Sequence, residues 1–348
     1  MYKILISCRR TDTDILFRKS AAEQGLTIMI EITSPSRIHM SLIDMNGESG
    51  RIDGGVGLAL DLCGVRLRAR KIAAGDVVIS GCPAMDRKVE NVIRRLLPED
   101  GGIEIDFAER MPMHIGLGIG TQSLLSAAAA VNELYGLGKN VRELAEIAGR
   151  GGTSGIGTHA FEAGGFIVDG GHRTADKKKF APSSASCAPV APVLFRKDFP
   201  EDWDVILAVP EGHGLSGPEE SAFFRRVCPF PVQEIREISY VILMQMLPAL
   251  VEKDIETFGS AVDQLQSLGF NRPEHEIQPA ETPHIIDVMK KAGISGVGLS
   301  SFGPALYGFS DSRSQSEEIR DAVLSEIAPG GRVYITKAKN TGAVCRHV

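Results

Sequence analysis

The sequence predicts a two-domain α+β protein, and three observations carry that reading. The chain has 348 residues, which leaves room for two domains at about 100–200 residues each. Several strand patterns precede the first long helix, which argues against a plain alternating βαβ layout. After a stretch rich in lysine, serine and proline near 174–192, strands and helices mix again. Composition agrees with a folded chain. The apolar fraction is 43% and the charged fraction 24%, a balance that excludes disorder. Lysine and arginine number 38 against 44 acidic residues, a net charge of −6, so the basic footprint of a nucleic-acid binder is missing. Glycine is the outlier, at 38 residues, or about 11% against a usual value of about 7%.

The elements follow in order. Residues 2–7 read as a strand and 12–24 as a helix. From Thr27 the chain turns apolar and β-branched, and over 37–42 Ile38, Met40 and Leu42 alternate with Arg37, His39 and Ser41. That period of two marks a half-buried strand. Asn46-Gly47 signals a turn. Strands are expected at 57–60, 65–70, 77–80 and 103–107, with a helix at 84–96. An Ala/Leu-rich stretch to Tyr135 predicts a buried helix, followed by a short one at 140–149. Residues 164–172 read as a strand with glycine at both ends, and 174–192 as a linker or flexible loop. Beyond it come a strand at 204–209, helices near 218–226, 232–247, 249–268 and 283–292, a strand at 305–309, a helix at 315–327 and a strand at 332–337.

Six cysteines, Cys8, Cys63, Cys82, Cys187, Cys228 and Cys345, show neither metal-ligand nor C-x-x-C spacing. Scattered cysteines fit a reducing, cytoplasmic setting. No run of 18 apolar residues predicts a membrane span, and the charged N-terminus does not read as a signal peptide.

Three glycine-rich loops carry the chemistry. Gly116, Gly118 and Gly120 alternate before Thr121 at the start of the buried helix. Alternating glycines let the backbone approach a ligand, and the free amides at a helix start attract an anion such as phosphate. The loop is neither a Walker loop nor a dinucleotide fingerprint, and a plain glycine turn is the bland alternative. Arg150 heads a second loop with Gly152, Thr153 and Ser154, readable as a helix cap or as a second anion contact. The third runs from Gly293 to Gly303 and includes Ser300 and Ser301. Together the three favour a multi-loop phosphate site. Beside them stand Arg37 and His39 on one strand face, Asp53 in a turn, and Glu162, Asp169 and His172 after the second loop. Carboxylates near a polyphosphate point to Mg²⁺. His39 alone reads as readily as a structural histidine, and Asp53 as an ordinary turn residue.

The order and spacing of these motifs resemble those of the GHMP kinase superfamily over about residues 31–345. Within it, the segments 34–39, 42–47, 51–55, 149–157, 164–172 and 300–304 are similar to the beta-ribofuranosylaminobenzene 5'-phosphate synthase family. The resemblance implies a ribosomal protein S5 domain 2-like N-terminal domain over 31–192 and a ferredoxin-like C-terminal domain over 193–348. Residues 1–30 fall outside it, as an added strand and helix or as a segment ahead of a start at Met29. Two departures from the kinases bear on activity. The first-strand triplet reads Leu42-Ile43-Asp44, and Gly157 stands where many of these kinases carry a catalytic Asp. Glycine cannot serve as a base.

The reaction that the resemblance implies joins phosphoribosyl pyrophosphate to 4-aminobenzoate or 4-hydroxybenzoate, releasing CO₂ and pyrophosphate, on the way to tetrahydromethanopterin. It implies that Gly116, Gly118, Gly120 and Thr121 hold pyrophosphate. Arg150, Gly152, Thr153 and Ser154 would hold pyrophosphate or the 5'-phosphate, with Ser300 and Ser301 in the late phosphate loop. Glu162 and Asp169 would hold Mg²⁺, and Arg37, His39, Asp53 and His172 would wall the ribose or the benzoate. An ATP-dependent kinase and a ligand sensor without turnover stay open as alternatives. The expected partners are small molecules, with neither nucleic acid nor membrane, and the default assembly is a homodimer.

Overall fold

The computed structural model describes residues 28–348. The strand expected at 2–7, the helix at 12–24 and Cys8 lie outside the described residues. The first sheet is built on one long antiparallel hairpin. Strand β1 (Met29–Asp44) and strand β2 (Arg51–Lys71) pair from Met29 opposite Arg70 to Asp44 opposite Asp53. The separate strands expected at 57–60 and 65–70 are therefore one. The register slips around Pro35 and again between His39 and Ser41. Proline has no N–H to donate to a ladder and marks such irregularities. Alternation through this segment sends Ile38 and Met40 into the core and leaves Arg37 and His39 on the opposite face.

The rest of the sheet grows around β2. Strand β4 (Ile103–Arg110) pairs with its C-terminal half and carries β3 (Val77–Ser80) on its far side. Strand β5 (Phe166–Asp169) pairs with the N-terminal half, next to the short β6 (His172–Arg173). Strand β7 (Val193–Lys197) adds to β5, and the last strand, β12 (Val344–His347), returns to pair with β1. The first sheet thus reaches past residue 193 and takes in the end of the chain. Helix α1 (Asp86–Leu96) buries Val89, Val92, Ile93 and Leu96, the face expected from their spacing. Helix α2 (Ile119–Tyr135) is buried nearly all round from Ile119 to Val131, as an apolar Ala/Leu sequence requires. Helices α3 (Val141–Ile147) and α4 (Ile156–Glu162) follow. The second glycine loop therefore ends in a helix of its own, α4.

The second sheet is antiparallel with the order β11–β8–β10–β9, from strands β8 (Asp204–Val209), β9 (Ser295–Leu299), β10 (Leu306–Ser310) and β11 (Arg332–Thr336). With helices after β8 and after β10 this is the βαββαβ ferredoxin-like arrangement. Strand β8 is buried throughout. Its Val205, Leu207 and Val209 join the main core, while Ile206 and Ala208 face a second core. That second core includes Ile285 and Met289 of helix α10 (Thr282–Lys291), and Ile319 and Val323 of α11 (Arg313–Glu326). Between β8 and β9 lie α5 (Gly217–Val227), α6 (Val232–Val241), which continues through a wide turn at Ile242–Met246 into α7 (Leu247–Glu252), then α8 (Ile255–Gln266) and the short α9 (Asn271–Glu276). Phe258 of α8 packs edge-on against Phe166 of the first sheet at 5.9 Å and Phe309 of the second at 5.2 Å. Such aromatic contacts add to burial and lock the two sheets into one unit.

Candidate functional site

Where the two halves meet, a cavity of about 350 Å³ opens between the glycine loops and helices α5 and α9. One wall is cationic. Gly118 caps α2 in a left-handed conformation (φ +78°) with no side chain over the helix start. A Cβ at Gly118 would press on the Arg37 side chain at 3.0 Å, so glycine is what lets the turn pass under that guanidinium. Arg37 donates a short hydrogen bond to the Gly116 carbonyl. Arg150 reaches across from the second loop and donates to the Thr121 hydroxyl oxygen at 3.0 and 2.7 Å. Burial, and then the charge of Arg150, push the Arg37 guanidinium down to about 10. Two arginines are thus held close together beside an uncapped helix start, an arrangement that an anion relieves.

Ser300 is a strut behind this wall. Its hydroxyl accepts from the His39 amide at 3.0 Å and donates to the Gly116 carbonyl at 2.7 Å. Ser301 lines the cavity, and its amide donates to the His39 carbonyl at 3.1 Å. His39 is 9% exposed and lines the cavity, and its Nε2 has no hydrogen-bond partner among the described residues. Burial, then Arg37, push its imidazole down to about 3, so the ring is neutral near pH 7. A Cβ at Gly55 would lie 2.6 Å from the Ser154 hydroxyl, 3.0 Å from His39 Nε2 and 3.1 Å from an Asp169 carboxylate oxygen. Glycine there is what allows the three side chains to converge.

The expected site residues fall into two sets. Arg37, His39, Gly116, Gly118, Gly120, Thr121, Arg150, Thr153, Ser154 and Ser301 line the cavity. Gly152 lies behind it against Ser186, and Ser300 supports it. Asp53, His172, Glu162 and Asp169 do not line it. Asp53 is 1% exposed and takes a left-handed conformation (φ +67°). Its carboxylate accepts from Lys177 Nζ at 3.1 and 3.0 Å and meets His172 Nδ1 at 2.6 Å. His172 Nε2 faces the carbonyls of Gly151 and Pro189 at 3.2 and 2.8 Å. Lys177 also donates to Thr153 and to the Ala181 carbonyl at 3.2 and 2.9 Å. The segment expected to be a flexible linker is therefore pinned by a buried ion cluster, and its Pro182, Ser183 and Ser184 form part of the cavity rim. The signal in the sequence was Lys177 itself, which reads as one of a solvated lysine run.

The expected metal ligands are also engaged elsewhere. Glu162 sits 3.5 Å from His159 Nδ1 and 3.9 Å from the Arg142 guanidinium. Asp169 is fully buried and accepts from the Gly155 and Gly171 amides at 2.9 and 3.0 Å and from Ser154 at 3.2 Å. Burial lifts its carboxyl above the usual range against those amides. It is an anchor of the second loop, and the pair does not fit a shared Mg²⁺. Among the described residues no cluster of three or more His, Cys, Asp or Glu is placed to hold a metal. Gly157 lines the cavity beside Thr121, so the position of the kinase base carries no side chain.

The opposite wall escaped the sequence reading. Helix α5 contributes Glu220 and Phe224, and α9 and the residue before it contribute Glu274 and Phe270; Leu42 and Phe302 complete it. The rings pack on one another, Phe224 with Phe270 at 4.7 Å and Phe270 with Phe302 at 5.9 Å. Asn271 fixes α9 by donating to the carbonyls of Met40 and Leu265 at 2.9 and 3.1 Å. Burial pushes Glu220 up to about 7, held back by Arg150 and Lys88. Burial and then Glu220 push Glu274 well above the usual carboxylate range.

Comparison with known proteins agrees with this architecture. Two family models match, GHMP kinases N terminal domain over residues 87–165 and GHMP kinases C terminal over 246–328. A beta-ribofuranosylphenol 5'-phosphate synthase of Methanothermobacter thermautotrophicus is 43% identical over 330 residues, covering 91% of this chain and 99% of the relative. One of Archaeoglobus fulgidus is 43% identical over 317 residues, covering 90% and 98%. Among solved structures, L. major mevalonate kinase shares the fold with a TM-score of 0.66 at 14% identity over 90% of this chain and 96% of its own. Homoserine kinase of Cytophaga hutchinsonii does so with a TM-score of 0.62 at 18% identity over 91% and 97%.

Proposed function

This chain belongs to the beta-ribofuranosylphenol 5'-phosphate synthase family, and from that premise we propose that it joins phosphoribosyl pyrophosphate to 4-hydroxybenzoate with loss of CO₂ and pyrophosphate. The product named in the relatives is a phenol, which favours the hydroxy over the amino acid as acceptor. The observation that carries the reading is the cavity itself. It sets two arginines and an uncapped helix start opposite an aromatic wall. Departure of pyrophosphate from the sugar leaves an oxocarbenium-like carbon and a highly charged leaving group. Arg37, Arg150 and the α2 amides neutralise that charge in a site of low dielectric. The ring attacks through the carbon that bears the carboxylate, and CO₂ then leaves to restore aromaticity.

Mg²⁺ is proposed to arrive on the donor's pyrophosphate, where it would add to charge neutralisation. Glu162 and Asp169 are already committed within the protein, so no step is assigned to a protein-held metal. A kinase reading has no base at Gly157. Among the described residues no helix is long and apolar enough to cross a membrane, and a cytoplasmic setting and a role in tetrahydromethanopterin synthesis complete the proposal. So does a homodimer, supported by exposed Tyr240, Leu243, Met244 and Val251 along one helical stretch.

The test is a pair of incubations with Mg²⁺, phosphoribosyl pyrophosphate and carboxyl-labelled 4-hydroxybenzoate or 4-aminobenzoate. Release of labelled CO₂ that needs both donor and protein is expected, faster with the hydroxy acid. No CO₂ from folded protein that binds the donor would refute the synthase reading.

A further inference from the structure

We propose that the wall formed by Leu42, Phe224, Phe270 and Phe302 holds the acceptor ring, and that Glu220, paired with Glu274, takes the proton from its para hydroxyl. This rests on the synthase reading and deepens it by assigning the acceptor half of the cavity. The geometry has three parts. The aromatic rings, tilted and edge-on to one another, form an apolar wall of the kind that takes a benzene ring. Glu274 is 5% exposed and lines the cavity, with its carboxylate facing Glu220 and the Arg37 guanidinium. His39 Nε2, also buried at the cavity wall, has no hydrogen-bond partner among the described residues. A buried polar atom left unpaired costs stability until a ligand satisfies it. Glu220, beside Arg150, and Glu274, beside Arg37, repel a third carboxylate, so the acceptor's own carboxylate points away from the pair, toward the donor sugar. Its hydroxyl, a donor, then meets Glu220.

The chemistry balances. A Glu220 carboxylate oxygen takes the hydroxyl proton, and the oxygen's electron pair moves into the ring. The ring carbon para to it bonds to C1 of the sugar as the bond from C1 to the pyrophosphate oxygen breaks and its electrons leave with pyrophosphate. The bond to the carboxylate then breaks, CO₂ departs, and its electrons restore the ring. The proton returns from Glu220 to the ring oxygen. The groups facing Glu220 are Arg150 from the second glycine loop, Lys88 from α1 and Glu274 from α9. The first two favour its ionised form and the third opposes it. The balance leaves Glu220 near 7, suited to taking and returning a proton near neutral pH.

The test compares wild type, Glu220→Gln and Glu274→Gln with 4-hydroxybenzoate and with 3,5-difluoro-4-hydroxybenzoate, whose hydroxyl ionises unaided near neutral pH. Loss of a general base costs about 100-fold or more. Glu220→Gln is expected to lose that much with 4-hydroxybenzoate, to recover most of it with the fluorinated acid, and to bind phosphoribosyl pyrophosphate as wild type does. Glu274→Gln is expected to raise KM for the acceptor and leave donor affinity unchanged. An equal loss on both acceptors would mean a structural role and overturn the proposal. So would wild-type rates in both variants, with the synthase reaction left standing. If wild-type protein releases no CO₂ from either benzoate, the synthase reading falls and this assignment falls with it.

Discussion

The two walls of the cavity are built in opposite ways. The glycine-loop wall is backbone: turns with positive φ at Gly116 and Gly118, the open start of α2, and arginines strapped to Gly116 and Thr121. The helical wall is side chain: phenylalanines from three separate segments, packed tilted and edge-on, and two carboxylates that face Arg150, Lys88 and Arg37. A backbone wall is a fixed cradle whose amides cannot titrate, with its full positive charges supplied by Arg37 and Arg150. A side-chain wall can carry the protonation chemistry and the choice of acceptor. The division fits a reaction in which one substrate needs charge neutralised and the other needs a ring oriented.

The largest way to disturb this comparison is from behind the cradle. Lys177→Met removes one partner from the buried cluster with Asp53 and His172, which costs about 3–5 kcal/mol where a buried charge is left unpaired. Urea unfolding should show that loss. A cost within about 0.5 kcal/mol, typical of a surface change, would mean that the 174–192 segment is not pinned. Gly116→Ala comes next. Its φ of +86° disfavours any other residue, and its Cβ would run into the Ser300 carbonyl. Such backbone strain costs about 1–3 kcal/mol, and donor affinity should fall with it while the acceptor wall is spared. Unchanged thermal stability and donor affinity would show that the turn is pliable and that glycine is not required there.

The smallest effect sharpens the helical wall. In the folded protein Glu220 is raised to about 7 from a usual value of 4.5. A raised carboxyl binds its proton more tightly when folded. The stability it contributes is therefore present below about pH 4.5 and lost as pH rises through about 7. Glu220→Gln removes that dependence, so the variant's melting temperature should gain on wild type between pH 5 and 8. The gain corresponds to about 1 kcal/mol once solvent screening is allowed for. A difference that stays flat over this range would place Glu220 in an ordinary aqueous setting.

The same contrast decides what the sequence made legible. The α+β class, the buried α2 helix and the alternation of Arg37 and His39 with core residues could be read, because periodicity and glycine spacing are local. So could most of the backbone wall. Glu220 and Glu274 could not. The first looks like an ordinary acidic residue in a helix's first turn, and the second sits in a polar, charged stretch without periodicity. They gain meaning only when α5 and α9 are folded over β1. Strand β9 was hidden inside a glycine-rich loop, and the short strands β7 and β12 depend on partners far away in sequence. Glu162 and Asp169 drew attention by closeness to a loop, and the fold gave their carboxylates internal partners. Asp53 and His172 did likewise, through a lysine that reads as solvated.

The most direct test of the divided cavity is the dissociation constant for phosphoribosyl pyrophosphate, measured side by side for wild type, Arg150→Ala and Glu220→Gln. Loss of a charged hydrogen-bonding group is worth about 1.5–3 kcal/mol, or roughly 10- to 150-fold in affinity. Arg150→Ala should show that weakening, and Glu220→Gln should keep wild-type affinity. Equal donor affinity in wild type and Arg150→Ala, or a comparable loss in both variants, would contradict the division of the cavity.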